Sequence, residues 1–309
     1  MTATDSNSRS PRASGGRHSF LTVFLALVGL ITILALILSG AVYFFRSPGE
    51  RSRGSGIGVI EIKGIIARPE SVLRALVRFR NDKNIKAIIL RVDSSGGGVA
   101  PTQEIYREIM RTRSKKKVIA SLGSLAASGG IYVASAADYI LANPGTLTGS
   151  ISVIMHFTNY ENLFEKVGLK SFSITSGEFK DIGSPMRKMT DKEKKILQRL
   201  VDQIHQQFVN DVSKARGLPL EKIKALADGQ IFTGEEAVEL GLVDRLGNFE
   251  DAILYAQKIS GLTERPKLIY PKKRKHWLLD ILTGKSEINL LPDWYGHPFR
   301  LEYLYAPAR

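Results

Sequence analysis

Ser128 stands in the run GSLAASGGIYVASAADYILA, Gly123 to Ala142, between two alanines and two glycines. A serine acts as a nucleophile when a base takes its proton and donors stabilise the oxyanion that its attack creates. Ser-Gly-Gly at the start of a helix leaves backbone N–H groups free around the hydroxyl. The N–H of Gly129 can then point at an oxygen bound beside it. A second donor can come from DSSGGG, Asp93 to Gly98. That glycine run follows an apolar strand, at the end where α/β sheets place their ligands, and glycine lets backbone approach a substrate closely. The same residues have plainer uses. Small residues at a helix start permit close packing, and Ser is a common N-cap. SSGGG is not a phosphate loop, because no Gly-Lys-Ser/Thr follows it.

The base is the missing part. Of five histidines, His18 precedes an apolar run, His205 falls in a long helical pattern, and His276 and His297 lie in the C-terminal stretch. Only His156 follows a predicted core strand, with no Asp or Glu close in sequence. Lysine is the alternative, since Ser-Lys pairs follow the same logic as the Ser-His-Asp triad. A lysine base must be neutral, and a free lysine has a pKa of about 10.4. Burial among apolar groups can lower it by several units, and three units cost about 4 kcal/mol. Lys180, in ITSGEFKDIGSP, follows a β-like run and a Ser-Gly turn, with Phe179 and Ile182 beside it. Asp181 would oppose neutralisation if it pointed the same way. Spacing alone leaves Lys180 indistinguishable from a surface lysine.

These residues need a frame. IGVIEIKGII and KAIILRVD are β-branched runs of the kind buried on both faces of a sheet. KKVIAS, DYILA, ISVIM and KSFSIT read as further strands. Helical patterns at Ser71 to Arg80, Gln103 to Arg113, Ser128 to Ala137 and Tyr160 to Val167 alternate with them, which predicts an α/β domain with right-handed crossovers. Beyond Lys180 the texture is helical. Thr190 and Glu193 form a capping box, and Ile196, Leu200, Ile204, Phe208 and Val212 follow as an apolar stripe.

The 309-residue chain is 43% hydrophobic and 24% charged, enough for a sizeable core. It has no cysteine, so disulfides, thiol nucleophiles and cysteine metal sites are excluded. Its net charge of +14 is spread over several clusters without interleaved aromatics, which argues against a nucleic-acid platform. Residues 1–18 read as a disordered tail. From Phe20 to Phe45 there is no charged residue, and about 20 apolar residues span a bilayer as a helix. Residues 19–45 are therefore read as an uncleaved anchor and 46–56 as a linker. Arg9, Arg12 and Arg17 on one side nearly balance Arg46, Arg51 and Arg53 on the other, so charge does not orient the span.

RVDSSGGGV, SLAASGGIYVASAADYILANPGTLTGSISVIM and SGEFKDIGSP occur in one chain, followed by ADGQIFTGEEAVELGLVDRLG. In that order and spacing they resemble the S49 family of serine proteases, the signal peptide peptidase A family, over about residues 57–260. The resemblance implies a ClpP/crotonase-like fold, a repeated β-β-α superhelix, over residues 57–262, after one transmembrane helix. It leaves 263–309 as an extension of unassigned role. It implies Ser128 as nucleophile, Lys180 as general base and the Gly96 and Gly129 N–H groups as the oxyanion hole, with no metal and no cofactor. It implies peptide substrates, residual signal peptides among them. It also implies a homo-oligomer, in which a ring-like assembly can draw serine and lysine from neighbouring protomers. The catalytic domain would face the outer side of the cytoplasmic membrane, and no nucleic acid would be bound. The alternatives are a ClpP-class membrane protease acting on stomatin-like proteins, a non-catalytic scaffold of the same fold, and a crotonase-type acyl-CoA enzyme. Two positions depart from the family pattern: Ser95 stands where Pro is usual, and Ser152 where Gly is common.

Overall fold

The structure, a computed structural model, describes residues 17–45, 55–271 and 302–304. Residues 1–16 of the expected tail and residues 46–54 of the expected linker lie outside the described residues, and Arg17 and His18, expected in the tail, open the first helix. The chain divides into two compact units, Met1–Arg53 and Gly54–Arg309. The first carries α1 (Arg17–Phe45), whose stretch Thr22–Gly40 has a mean hydropathy of 2.7 and holds no buried residue. Its 19 residues are long and apolar enough to cross a membrane.

The second unit is built on one mixed sheet of nine strands among the described residues. β1 (Gly56–Ile66), β2 (Ile85–Gly98) and β3 (Lys117–Ala127) pair in parallel, joined by α2 (Glu70–Asn81) and α3 (Val99–Arg113). The period of two in a strand explains the apolar runs. Ile88, Leu90 and Val92 of β2 pack with α2, α3 and α4 (Gly129–Ser135), while Ala87 and Ile89 pack on the other face. That second face is covered by α9 (Phe249–Ile259), through Ala252, Ile253 and Ala256.

β3 belongs to two levels of the sheet. Ile119–Ser121 pair with β4 (Tyr139–Ala142), whereas Leu125–Ala127 pair with β5 (Leu147–Gly149). β4 continues to β7 (Arg245–Leu246), and β5 continues to β6 (Ile231–Thr233). This splitting turns the chain as a superhelix and leaves Ser128 at the end of the shared strand. The capping box of Thr190 and Glu193 starts α6 (Asp191–Arg216), and Gly217 closes it in the left-handed conformation. Leu197, Phe208, Val209 and Val212 are its buried apolar residues, while Leu200 of the expected stripe is exposed. α7 (Leu220–Leu226) and α8 (Gly234–Glu239) continue the helical texture expected beyond Lys180.

Two expected strands do not form. In ISVIM the strand lies earlier, at β5, and Ser150 at φ 52° ends it. KSFSIT is an exposed stretch with Phe172 and Ile174 at 85% and 94% exposure, and it pairs with no strand among the described residues. The region holds only the short α5 (Glu161–Lys166), which buries no residue. Beyond residue 262, β8 (Lys267–Ile269) joins β1 in parallel, and β9 (Glu302–Leu304) pairs antiparallel with the end of β2.

Candidate active site

β3 delivers Ser128 and α4 departs from it. Ser128 has φ 53° and ψ −116°, a conformation that costs an L residue of order 1–3 kcal/mol and persists only where its surroundings impose it. Two backbone bonds impose it here. The Ser128 N–H donates to the Gly149 carbonyl at 2.8 Å, and the Ser128 carbonyl accepts from Tyr132 N–H at 2.9 Å. The side chain is 1% exposed, yet its hydroxyl does not cap α4 and bonds no described residue. The capping role that a serine commonly fills at this position is not performed.

Gly129 and Gly96 meet backbone to backbone. A Cβ on Gly129 would lie 3.0 Å from Gly96 Cα, 3.1 Å from Thr102 Oγ1 and 3.2 Å from Gly97 N. A Cβ on Gly96, where φ is 102°, would lie 2.7 Å from Gly129 N. The contact exists because neither residue carries a side chain. The structure therefore brings Ser128, Gly129 and Gly96 together. The Gly96 N–H donates to Ser94 Oγ at 3.1 Å, and Ser94 Oγ donates to the Gly64 carbonyl at 2.5 Å. A substrate oxygen that used the Gly96 N–H would replace that bond. Sequence reasoning passed over Ser94, although its parity with Leu90 and Val92 marked it as facing the core. It also missed Thr102, whose buried Oγ1 has no hydrogen-bond partner beside Gly129.

Lys180 is not joined to this cluster within the protomer. It is exposed, its backbone N–H donates to Gly177 O at 3.1 Å, and its ammonium bonds no described residue. Asp181 points elsewhere. Arg187 Nη2 lies 2.8 Å from Asp181 Oδ1, and Arg187 Nη1 donates to Glu193 Oε2 at 2.9 Å. The Arg187 hydrogen bonds hold the Asp181 carboxyl below its usual range, and with the Thr190 backbone N–H they hold Glu193 down at about 2. The aspartate beside Lys180 is thus engaged by a cation of its own. His156 is exposed and bonds no described carboxylate, and His205 Nε2 sits 3.3 Å from the Ile151 carbonyl oxygen.

The β2–β3 ladder ends at Ser94↔Ala126, which frees the edge of Gly96–Gly98. β9 takes that edge in the register Gly96↔Leu304, Gly97↔Tyr303, Gly98↔Glu302. Tyr303 is fully buried, stacked on Tyr132 with ring centroids 5.1 Å apart and tilted against Phe208 at 4.8 Å. The sequence offered no signal for this strand.

A twisted sheet whose long strand serves two levels, with a strained serine and a glycine edge at the split, defines a Clp-protease-like domain. Residues 61–146 match the Clp protease family, and residues 110–263, which include both Ser128 and Lys180, match Peptidase family S49. A Synechocystis sp. protein named as a protease is 42% identical over 252 residues, covering 81% of this chain and 91% of that protein. An Enterococcus faecium protein named as signal peptide peptidase SppA is 37% identical over 228 residues, 74% of this chain and 65% of that one. Protease 4 of Haemophilus influenzae is 35% identical over 216 residues, 66% of this chain and 34% of its own length. The chain belongs to peptidase family S49, a family of serine proteases, and its fold is the Clp-like one expected from the sequence.

Proposed function

We propose that the protein is a membrane-anchored endopeptidase with a Ser128–Lys180 dyad, and that it degrades residual signal peptides at the cytoplasmic membrane from the outer side. The observation that carries this reading is Ser128 itself. It is buried and strained, its hydroxyl bonds no described residue, and Gly129 N and the Gly96 turn are gathered beside it. Strain maintained without a structural bond from the hydroxyl fits a group held ready for attack.

Ser128 Oγ would attack the scissile carbonyl carbon while Lys180 Nζ takes its proton. The oxyanion would sit between the Gly129 and Gly96 N–H groups. Lys180 would return the proton to the leaving amine, and water would hydrolyse the acyl-enzyme by the same sequence. Lys180 is exposed in the protomer, and the stretch before it also exposes large apolar side chains: Leu163, Leu169, Phe172 and Ile174. A second copy packed on this arm would bury the lysine and carry it to a neighbour's serine, which supports a shared dyad in a homo-oligomer. α1 supports the anchor, and the signal-peptide substrate rests on likeness to the relative so named.

A fluorophosphonate probe tests the reading. Labelling should map to Ser128, vanish in Ser128→Ala, and fall sharply in Lys180→Ala and Lys180→Arg while both stay folded. Undiminished labelling of another serine in Ser128→Ala would sink it.

A further inference from the structure

The two ends of the sheet differ in charge. At the C-terminal ends of β2 and β3, beside Ser128, residues 93–98 and 123–128 hold one charged side chain, Asp93. At the other end the turns from α2 to β2 and from α3 to β3 lie side by side, since Ala87 pairs with Lys117. There residues 78–86 and 111–117 hold nine lysines and arginines and one carboxylate, Asp82. Part of this charge is structural. Arg80 and Arg111 pair with Glu108, and Arg113 and Lys117 pair with Asp138. Lys116 closes α2: its ammonium donates to the Phe79 carbonyl at 2.6 Å and to the Asp82 carbonyl. Burial pushes Lys116 below its ordinary value, with Asp82 opposing and Lys86 adding to the fall, so cations crowd one another here. Lys83, Lys86 and Lys115 serve none of these contacts. All three are exposed, and their ammonium groups bond no described residue.

β1 runs parallel to β2 with Gly56 opposite Asn84 and Ile85, so the chain enters the sheet at this same basic end. Ten residues, 46–55, join it to α1, a reach of at most about 35 Å. Arg46, Arg51 and Arg53 lie in that connection. A helix long and apolar enough to cross a bilayer is thus tied by a short basic segment to the basic end of the sheet. We propose that this end, through Lys83, Lys86 and Lys115, docks on the anionic lipid headgroups of the bilayer that holds α1. An exposed lysine near an anionic surface strengthens binding about fivefold, and its flexible stem lets the ammonium follow headgroups that have no fixed geometry. The docked domain stands with its strands rising from the surface. β3 runs 11 residues from the basic end to Ala127, which places Ser128 up to about 35 Å from the headgroups. A peptide still held in the bilayer needs about ten extended residues of free chain to reach that height. The site therefore takes chain that has already left the membrane. The tether rests on the reading of α1 as an anchor; the docking does not depend on the Ser128–Lys180 dyad.

The full chain is reconstituted in nanodiscs of phosphatidylcholine, alone or with about a third of anionic phosphatidylglycerol. The chain has no cysteine, so Asn84→Cys and Glu70→Cys each carry a single fluorophore, one at the basic end and one at the start of α2, the opposite end. A quencher attached to the headgroups reads their distance from the surface. The Asn84→Cys label should be quenched in the anionic discs and recover in about 0.5 M salt, and the Glu70→Cys label should stay bright throughout. Replacing Lys83, Lys86 and Lys115 by Gln should shift the docking equilibrium about a hundredfold and abolish the quenching, whereas Arg at the three positions should keep it. Equal quenching of the Asn84→Cys label in both disc types, quenching of both labels alike, or quenching retained by the Gln variant overturns the proposal. The lipid and salt dependence of the wild type needs no lysine variant, so a Gln variant that fails to fold leaves the test standing. A chain that does not copurify with phosphatidylcholine discs defeats the anchor by itself. Flotation with phosphatidylglycerol vesicles then decides the docking: loss in the Gln or salt-treated sample supports it, and no difference overturns it.

Discussion

Ser128 and Gly96 separate packing from chemistry at the level of single residues. A buried serine kept for packing uses its hydroxyl, and removing a bonded buried hydroxyl costs about 1 kcal/mol or more. The Ser128 hydroxyl bonds nothing described. Ser128→Ala should therefore leave folding stability unchanged or raise it by up to about 1 kcal/mol, while activity is lost. Urea denaturation measures the first and peptide cleavage the second, and a marked loss of stability would return Ser128 to a structural role. Gly96→Ala should behave differently. At φ 102° the backbone disfavours any L side chain, and the methyl would overlap the Tyr303 carbonyl and crowd Gly129 N at 2.7 Å. Its kcat should fall about a hundredfold or more, the effect of losing one oxyanion donor. A Gly96→Ala enzyme with full kcat would remove Gly96 from the site.

At the level of elements, the least exposed tie between the β5–α6 arm and α6 is a clamp in which Arg187 joins Asp181, beside Lys180, to Glu193 in the first turn of α6, next to the exposed pair Lys192–Glu178. Glu193 titrates near 2 in the folded chain against an ordinary value of about 4.5. A depressed carboxyl contributes stability that is fully present above the unfolded pKa and lost as pH falls through the folded one. The clamp should therefore weaken on acidification from about pH 4.5 towards 2, with the arm becoming protease-sensitive before the sheet. Arg187→Met should produce the same sensitivity at neutral pH, because Glu193 stays buried without its cation. An arm equally resistant in both conditions would show that the clamp is not what holds it. The start of α6 was legible because a capping box is local: Thr190, Glu193 and the turn between them are all its parts. β1 to β4 were legible because buried runs of Ile and Val have few other uses. KSFSIT misled because alternation marks a strand whether or not another strand is there to pair with, and none of the described strands does. β9 was invisible for the converse reason. Its three residues have no pattern of their own, and they become a strand only against a glycine edge far away in the chain.

At the level of the whole molecule, the protomer places a strained serine in the sheet and leaves Lys180 exposed on an apolar arm. A base must be desolvated to be neutral near pH 7, and nothing described in the single chain desolvates this one. Assembly resolves this if each arm covers the serine of the next protomer in a closed ring. The two possible pairings make opposite predictions for a mixture of dead enzymes. Ser128→Ala keeps its lysine, and Lys180→Ala keeps its serine. If the dyad lies within one protomer, no subunit of either type has both groups, and co-assembly stays inactive. If the dyad is shared, every contact that joins a lysine from the first type to a serine from the second is a complete site. Random co-assembly of equal amounts makes about a quarter of the contacts complete. Co-expression of the two variants, followed by cleavage assays on the purified assembly, should then recover about a quarter of wild-type activity, by the same random mixing. Replacing Phe172 and Ile174 by Asp in both variants should abolish that recovery, since the exposed apolar side chains are what the contact would bury. Activity that stays at zero in the mixture, with mixed assemblies verified by mass spectrometry, would confine the dyad to one chain and require the arm to fold back onto its own serine.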